Sequence, residues 1–173
     1  RNVHEAGTRT LYHLNAKKPG AGEMPVFLAA GPSAILLHEA IGHGMEADFN
    51  RKKVSIFSSR MNQRVANEHV TIVDDGTIAH SRGAINIDDE GNPSQRTVLV
   101  ENGVLQGYLQ DEISARHFDV APTGSGRRQS FRHPPLPRMR STVMLNGARD
   151  PQEIIGSVDR GLYCQTFSNG QVN

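Results

Sequence analysis

Much of what would mark a secreted mini-domain, a membrane protein or a nucleic-acid-coating protein is missing from this chain. Its one cysteine, Cys164, excludes an intramolecular disulfide framework and fits a reducing compartment. Tryptophan is absent and aromatic residues make up only 5%, so the core has to rest on Ile, Val, Leu and Met. No apolar run approaches about 20 residues, which excludes a transmembrane helix, and no signal peptide is visible. Neither sign of charge prevails. The 19 basic and 18 acidic residues leave +1, too little for general attraction to nucleic acid or anionic membranes. What remains is ordinary globular material: 173 residues, 36% apolar with 17 glycines besides, enough for one domain with a sizeable core. The chain opens on Arg1 and closes on Gly170-Gln171-Val172-Asn173. Both ends read as cut, so residues 1–173 are expected to form a single partial domain.

The pattern along the chain predicts an α+β fold, with a hairpin-rich antiparallel sheet, one motif-bearing helix and one or two further helices. Residues 1–24 are polar, with a loop near Lys17-Lys18-Pro19-Gly20. Pro25 to Ala30 reads as a strand. Gly31-Pro32-Ser33 then opens a helix running to about Phe49, with proline in its first turn and Ser33 as a possible cap. Val70 to Val73 reads as a strand, followed by an Asp-Gly turn signal at Asp75-Gly76 and a second strand at Ala84 to Ile87. Asn102-Gly103 between Thr97–Val100 and Val104–Leu109 is the clearest hairpin. Glu112 to Phe118 reads as a short helix and Thr142 to Leu145 as a strand. Asp150-Pro151-Gln152-Glu153 starts a helix to about Asp159. Leu162 to Phe167 reads as a last strand.

One segment carries chemistry: His38-Glu39-Ala40-Ile41-Gly42-His43. Imidazole nitrogens bind zinc, and a carboxylate beside a metal-activated water can take its proton. The zincin pattern H-E-x-x-H places its histidines at i and i+4, whereas here they stand at i and i+5. On a regular helix positions four apart lie about 40° from each other and positions five apart about 140°. The two rings can therefore share an ion only if the helix widens, as in a π-bulge, or ends near Gly42, with Gly42 or Gly44 lending backbone freedom. Otherwise His38 and His43 sit on opposite sides of an amphipathic helix with Glu39 in solvent. Spacing alone leaves both readings open. Glu46 and Asp48 are either partners for the ring N–H groups or plain helix-surface charge. Catalytic zinc usually has three protein ligands. Cys164, His69, His80, His117 and His133 are available, but no spacing singles one out.

Residues 121–140 form a long loop rich in Gly, Pro and Arg. Its arginines, Arg127, Arg128, Arg132, Arg138 and Arg140, are either solvated or an anion clamp for a peptide carboxylate. Nucleic-acid binding is disfavoured, because only Phe131 lies among them.

These residues resemble a known family. LLHEAIGHGMEADFNRK is similar to the hallmark segment of the TldD/PmbA family on its TldD side. The likeness continues through VTIVDDGT, IDDEGNPSQ, VLVENGVLQGYLQD, PTGSGRR, PLPRMRST and GLYCQTFSNGQV. The resemblance implies a cytoplasmic zinc metallopeptidase that acts on peptides or unfolded small proteins in maturation and degradation. It also implies a homologous PmbA (TldE) subunit without the metal motif, and it carries an older family name, modulator of DNA gyrase. His38 and His43 map onto the family's zinc histidines and Glu39 onto its catalytic glutamate. Arg127, Arg128 and Arg138 are candidates for contact with substrate. The family's third zinc ligand is a cysteine in a glycine-rich segment that Cys164 does not match. These 173 residues alone are therefore expected to hold Zn2+ weakly or not at all. Arg140-Ser141-Thr142 and Asn169 depart from the family pattern in detail. The alternative from another class is a non-catalytic peptide-binding or regulatory subunit with a vestigial motif. No membrane or nucleic-acid partner is expected.

Overall fold

The computed structural model describes residues 2–31 and 33–166. Its central sheet grows from the β-branched and leucine-rich stretches. Strand β2 (Ile72–Asp75) lies between β3 (Arg96–Glu101) and β7 (Thr142–Met144), and β4 (Val104–Leu105) adds to the far side of β3. The order is β4-β3-β2-β7, antiparallel throughout. The Asn-Gly hairpin forms as the sequence requires. Asn102 and Gly103 both have positive φ, 48° and 81°, the geometry that two-residue hairpins demand of their central residues. Gly103 has a second constraint: a Cβ there would stand 2.5 Å from the Ala66 carbonyl oxygen and 2.6 Å from that of Asn67.

The strand expected at Ala84 to Ile87 does not form. Only an isolated bridge joins Ile87 to Pro93. The Asp75-Gly76 signal does make a turn, in which Asp75 accepts from the Thr77 amide and hydroxyl at 2.8 and 2.6 Å. However, β2 is central, and β3 and β7 occupy both its edges. No edge is left for a local hairpin, so non-local pairing overrides the turn signal.

The core packs on this sheet. Met45, Leu99, Leu105 and Leu109 are fully buried, with Ile72 and Val100 almost so. Burying each such side chain contributes roughly 1.5–3 kcal/mol. Tyr108 joins them and donates its hydroxyl to the Phe57 carbonyl at 2.7 Å, tying down the long connection between residues 52 and 71. Helix α4 occupies Glu112–Phe118, as expected, because Asp111 caps it by accepting from the Ser114 amide at 2.8 Å and Asp119 closes it in the left-handed region. Helix α5 (Pro151–Gly156) starts from the Asp150 cap and stops earlier than Asp159. The first and last expected strands, β1 (Val26–Leu28) and β8 (Leu162–Cys164), pair in parallel as a separate two-stranded sheet. Phe167 lies outside the described residues. In the arginine-rich loop a short hairpin forms between β5 (Gly126–Arg127) and β6 (Leu136–Pro137). Helix α1 (Asn2–Leu14) was not expected. Its Val3, Leu11, Tyr12 and Leu14 are exposed, so no buried stripe announces it.

Candidate metal centre

The motif segment passes through three windings. It begins as helix α2 (Ala34–Leu37), widens into a π turn over His38–Gly42, and tightens into a 3-10 turn over His43–Met45. Ser33 makes no side-chain cap bond, and Pro32 lies outside the described residues. The His43 amide donates to the His38 carbonyl, the i to i+5 bond that defines a π turn. The extra residue per turn cancels most of the angular divergence that a regular helix would impose on positions 38 and 43. The two imidazole centroids stand 4.7 Å apart with their planes at 81°. One ligand atom from each of His38, Glu39 and His43 lies within 4.8 Å of the others. Among the described residues no other trio of His, Cys, Asp or Glu comes this close. The arrangement with two histidines on opposite sides of a regular helix does not describe this chain.

Gly42 acts differently from the expectation. Its φ and ψ, −56° and −52°, are ordinary right-handed values open to any residue. What it supplies is space. A Cβ at position 42 would fall inside the van der Waals envelope of Met139 Sδ and 3.1 Å from Met139 Cε. Gly44 makes room likewise, since a Cβ there would meet the Phe57 ring at 2.8 Å. Met139 and Phe57 thus clamp the π and 3-10 turns against the core.

The helix does not run on to Phe49. Glu46 is extended, at φ −71° and ψ 127°, before α3 (Ala47–Arg51) resumes. That break pairs residue 46 with Leu109 and turns the Glu46 side chain inward, where it is fully buried. Its Oε2 lies 3.1 Å from His43 Nδ1 and accepts from Arg138 Nη1 at 3.2 Å. Burial pushes the Glu46 carboxyl above its ordinary range, against the lowering pull of His43 and Arg138. Asp48 is also buried, 3.7 Å from Arg138 Nη1 and 3.8 Å from Lys52 Nζ. Neither acid is the surface charge that one reading of the sequence allowed.

The arginines do not gather into one clamp. Arg138 turns inward to Glu46 and Asp48. Arg140 donates to the Gly124 and Gly126 carbonyls at 3.3 and 2.9 Å, while its amide donates to buried Asp74. Burial raises the Asp74 carboxyl, partly offset by its hydrogen bonds from Thr142 and Arg140. Arg127 and Arg128 are exposed on the β5–β6 hairpin, and Arg128 Nη1 donates to the His133 carbonyl at 2.9 Å.

His38 and Glu39 are exposed and open onto a cleft of about 410 Å³, lined also by Ala34, Ile35, Met139, Arg140 and Thr142. Of these, Ile35, Met139 and Thr142 carried no functional signal in the sequence. Their place at the site follows from β7 lying beside α2. Two imidazoles and an adjacent carboxylate with convergent ligand atoms, facing solvent on one side and backed by a buried carboxylate on the other, are a donor set that fits zinc.

Such a centre defines a candidate metallohydrolase. The chain belongs to the PmbA/TldD family of metallopeptidases: residues 21–173 match the family model described as the PmbA/TldA metallopeptidase C-terminal domain. It is 50% identical over 169 residues to the metalloprotease TldD homolog of Buchnera aphidicola from Acyrthosiphon pisum, covering 98% of this chain and 35% of that protein. Against the zinc metalloprotease TldD homolog of Saccharolobus solfataricus it is 34% identical over 169 residues, covering 94% of this chain and 38% of that protein. Among solved structures it resembles TldE from Thermococcus kodakarensis, with a TM-score of 0.79 at 25% identity, over 97% of this chain and 38% of the other. It also resembles a putative modulator of a DNA gyrase from Thermotoga maritima, with a TM-score of 0.75 at 25% identity, over 87% and 34%. The chain spans about a third of the length of the curated relatives it matches. Among the described residues no helix is long and apolar enough to cross a membrane.

Proposed function

We propose that the protein is a zinc-dependent peptidase of TldD type, working in the cytoplasm on peptides or unfolded small proteins beside a homologous PmbA/TldE-type subunit. The observation that carries this reading is the π turn, which gathers His38, Glu39 and His43, the first two of them lining the cleft. His38 and His43 hold the ion. Bound zinc supplies Lewis acidity, polarising the scissile carbonyl and making water a nucleophile near neutral pH. Glu39 accepts the proton of the attacking water and returns it to the leaving amine. Its exposure on the outer face of the π turn, beside the cleft, gives water and peptide access to that carboxylate. Thr142 lines the cleft and begins β7, an edge strand, so an extended peptide can add to β7 through its backbone and bind with little dependence on sequence. The internal engagement of Arg138 and Arg140 favours such a backbone mode over an arginine clamp, and leaves the exposed Arg127, Arg128 and Arg132 as the loop arginines able to meet distal parts of a substrate.

Two imidazoles are fewer than the three protein ligands usual for catalytic zinc, so residues 1–173 by themselves bind zinc weakly. In the intact protein, Glu39→Ala should keep its zinc and lose peptide hydrolysis. Cleavage of an unfolded peptide by that variant at the parental rate would show the mechanism to be wrong. A zinc-free intact protein would favour the regulatory-subunit alternative.

A further inference from the structure

We infer that Glu46 and Arg138 are positioning residues that fix the His43 imidazole as its Nδ1–H tautomer and aim Nε2 at the metal, an inference that rests on reading His43 as a ligand. Glu46 Oε2 faces two nitrogens, His43 Nδ1 at 3.1 Å and Arg138 Nη1 at 3.2 Å. Arginine has no acceptor and can only donate. An oxygen already receiving that donor is a poor place for a proton, so Nδ1 must bring its own hydrogen to the contact. The lone pair is then left on Nε2. A neutral imidazole with the opposite tautomer would offer its lone pair to Glu46 and a useless N–H to the ion.

The platform under this contact is rigid. The Glu46 amide donates to the His43 carbonyl, and Asn50 Nδ2 donates to the carbonyls of Gly44 and Glu46 at 2.8 and 2.9 Å. Flanking Met45 and Ala47 are fully buried. Arg138 comes from 92 positions further along the chain. It is itself anchored by donating to the Pro137 carbonyl at 2.7 Å and by standing 3.7 Å from Asp48. It follows β6 directly and precedes Met139, the side chain that packs against Gly42. One short segment therefore braces both the backbone of the π turn and the ring that leaves it. Outer carboxylate partners of metal-bound histidines set the tautomer and ring orientation, and losing one costs about 10–100-fold in metal affinity. Arg138 acts one step further out, through Glu46.

The test uses the intact protein with ring-15N histidine, stripped of metal, at mildly alkaline pH. Long-range 1H–15N correlation should show His43 with protonated Nδ1 and bare Nε2. In Glu46→Met the ring should become a mixture of tautomers, whereas Arg138→Met leaves the accepting carboxylate in place and should keep the tautomer while loosening the ring. Zinc affinity, read by competition with a chromophoric chelator, should fall about 10–100-fold. Arg138→Lys, which restores a donor, should recover most of the affinity that Arg138→Met loses. Glu46→Gln keeps an acceptor oxygen and should keep the tautomer. A parental His43 with its proton on Nε2 overturns the inference, as do variants that retain both the parental tautomer and the parental affinity. Parental zinc affinity in Arg138→Met removes Arg138 from it. Should Glu46→Met fail to fold, the parental tautomer and the zinc affinity of Arg138→Met decide, since the Arg138 side chain is partly exposed at 29%. A parent that binds no zinc would instead sink the peptidase reading, while the tautomer result would still be judged on its own.

Discussion

Substituting Gly42 by alanine separates space from backbone conformation as the reason for a glycine inside the motif. Position 42 has right-handed dihedrals, so by helix propensity alone Gly42→Ala should gain about 1 kcal/mol. Against this, the new Cβ would overlap Met139 Sδ and crowd Cε at 3.1 Å, and Met139, only 9% exposed, can retreat only toward the cleft it lines. Overpacking of that kind costs about 1–3 kcal/mol. Methionine is flexible and yields better than a branched side chain, so the net expected loss is about 1 kcal/mol. The same substitution made in a Met139→Ala protein meets no sulfur and should become neutral or stabilising by up to about 1 kcal/mol. The double-mutant cycle, read from urea unfolding midpoints, should thus return a coupling of about 1–2 kcal/mol. An equal cost of Gly42→Ala in both backgrounds would refute the packing argument and return the glycine to a conformational role.

Three further expectations follow from contacts elsewhere. Gly103→Ala places a methyl against two backbone carbonyls at positive φ, which no side chain can relieve; it should cost at least about 1–3 kcal/mol in urea unfolding, more than Gly42→Ala. Tyr108→Phe removes the buried hydroxyl donated to Phe57 and should cost about 0.5–1.5 kcal/mol, with faster amide exchange in the 52–71 connection. The Asp75 carboxyl is held below its ordinary value of 3.8 by the Thr77 hydroxyl and amide. A lowered folded-state pKa stabilises the fold above the unfolded value, and this contribution is lost as pH falls from 3.8 through the folded value. Thr77→Val should therefore lower stability at neutral pH and flatten the acid limb of the stability curve; an unchanged acid limb would assign the shift to another cause.

Where local chemistry decides the structure, the sequence was readable. Asn102-Gly103 has no good alternative to a tight hairpin, and Asp111 with its downstream helix formers set the bounds of α4 (Glu112–Phe118). The five-residue spacing of His38 and His43 implied a π turn or a helix end near Gly42 if the two rings were to meet, and the π turn is the one present. Distant partners decide the rest. The burial of Glu46 depends on an extended residue pairing with Leu109 and on Arg138, 92 positions away, so a window around the motif left a ring partner and a surface charge as equal readings. Ala84 to Ile87 lost its strand because β7 comes back to take the open edge of β2. Helix α1 carries apolar residues at helical spacing, Val3, Ala6, Leu11 and Leu14, but in a segment whose polar composition reads as a loop, and the stripe stays exposed. Gly42 shows a subtler limit: its identity was legible, but its reason, the sulfur of Met139, was not.

The central claim is that one π turn makes His38 and His43 co-ligands of a single ion. Elemental analysis of the intact parent and of His38→Ala and His43→Ala, each purified with zinc present and dialysed, tests it most directly. The expected result is one zinc per parent chain and none in either variant. A full equivalent of zinc retained by either single variant would contradict it.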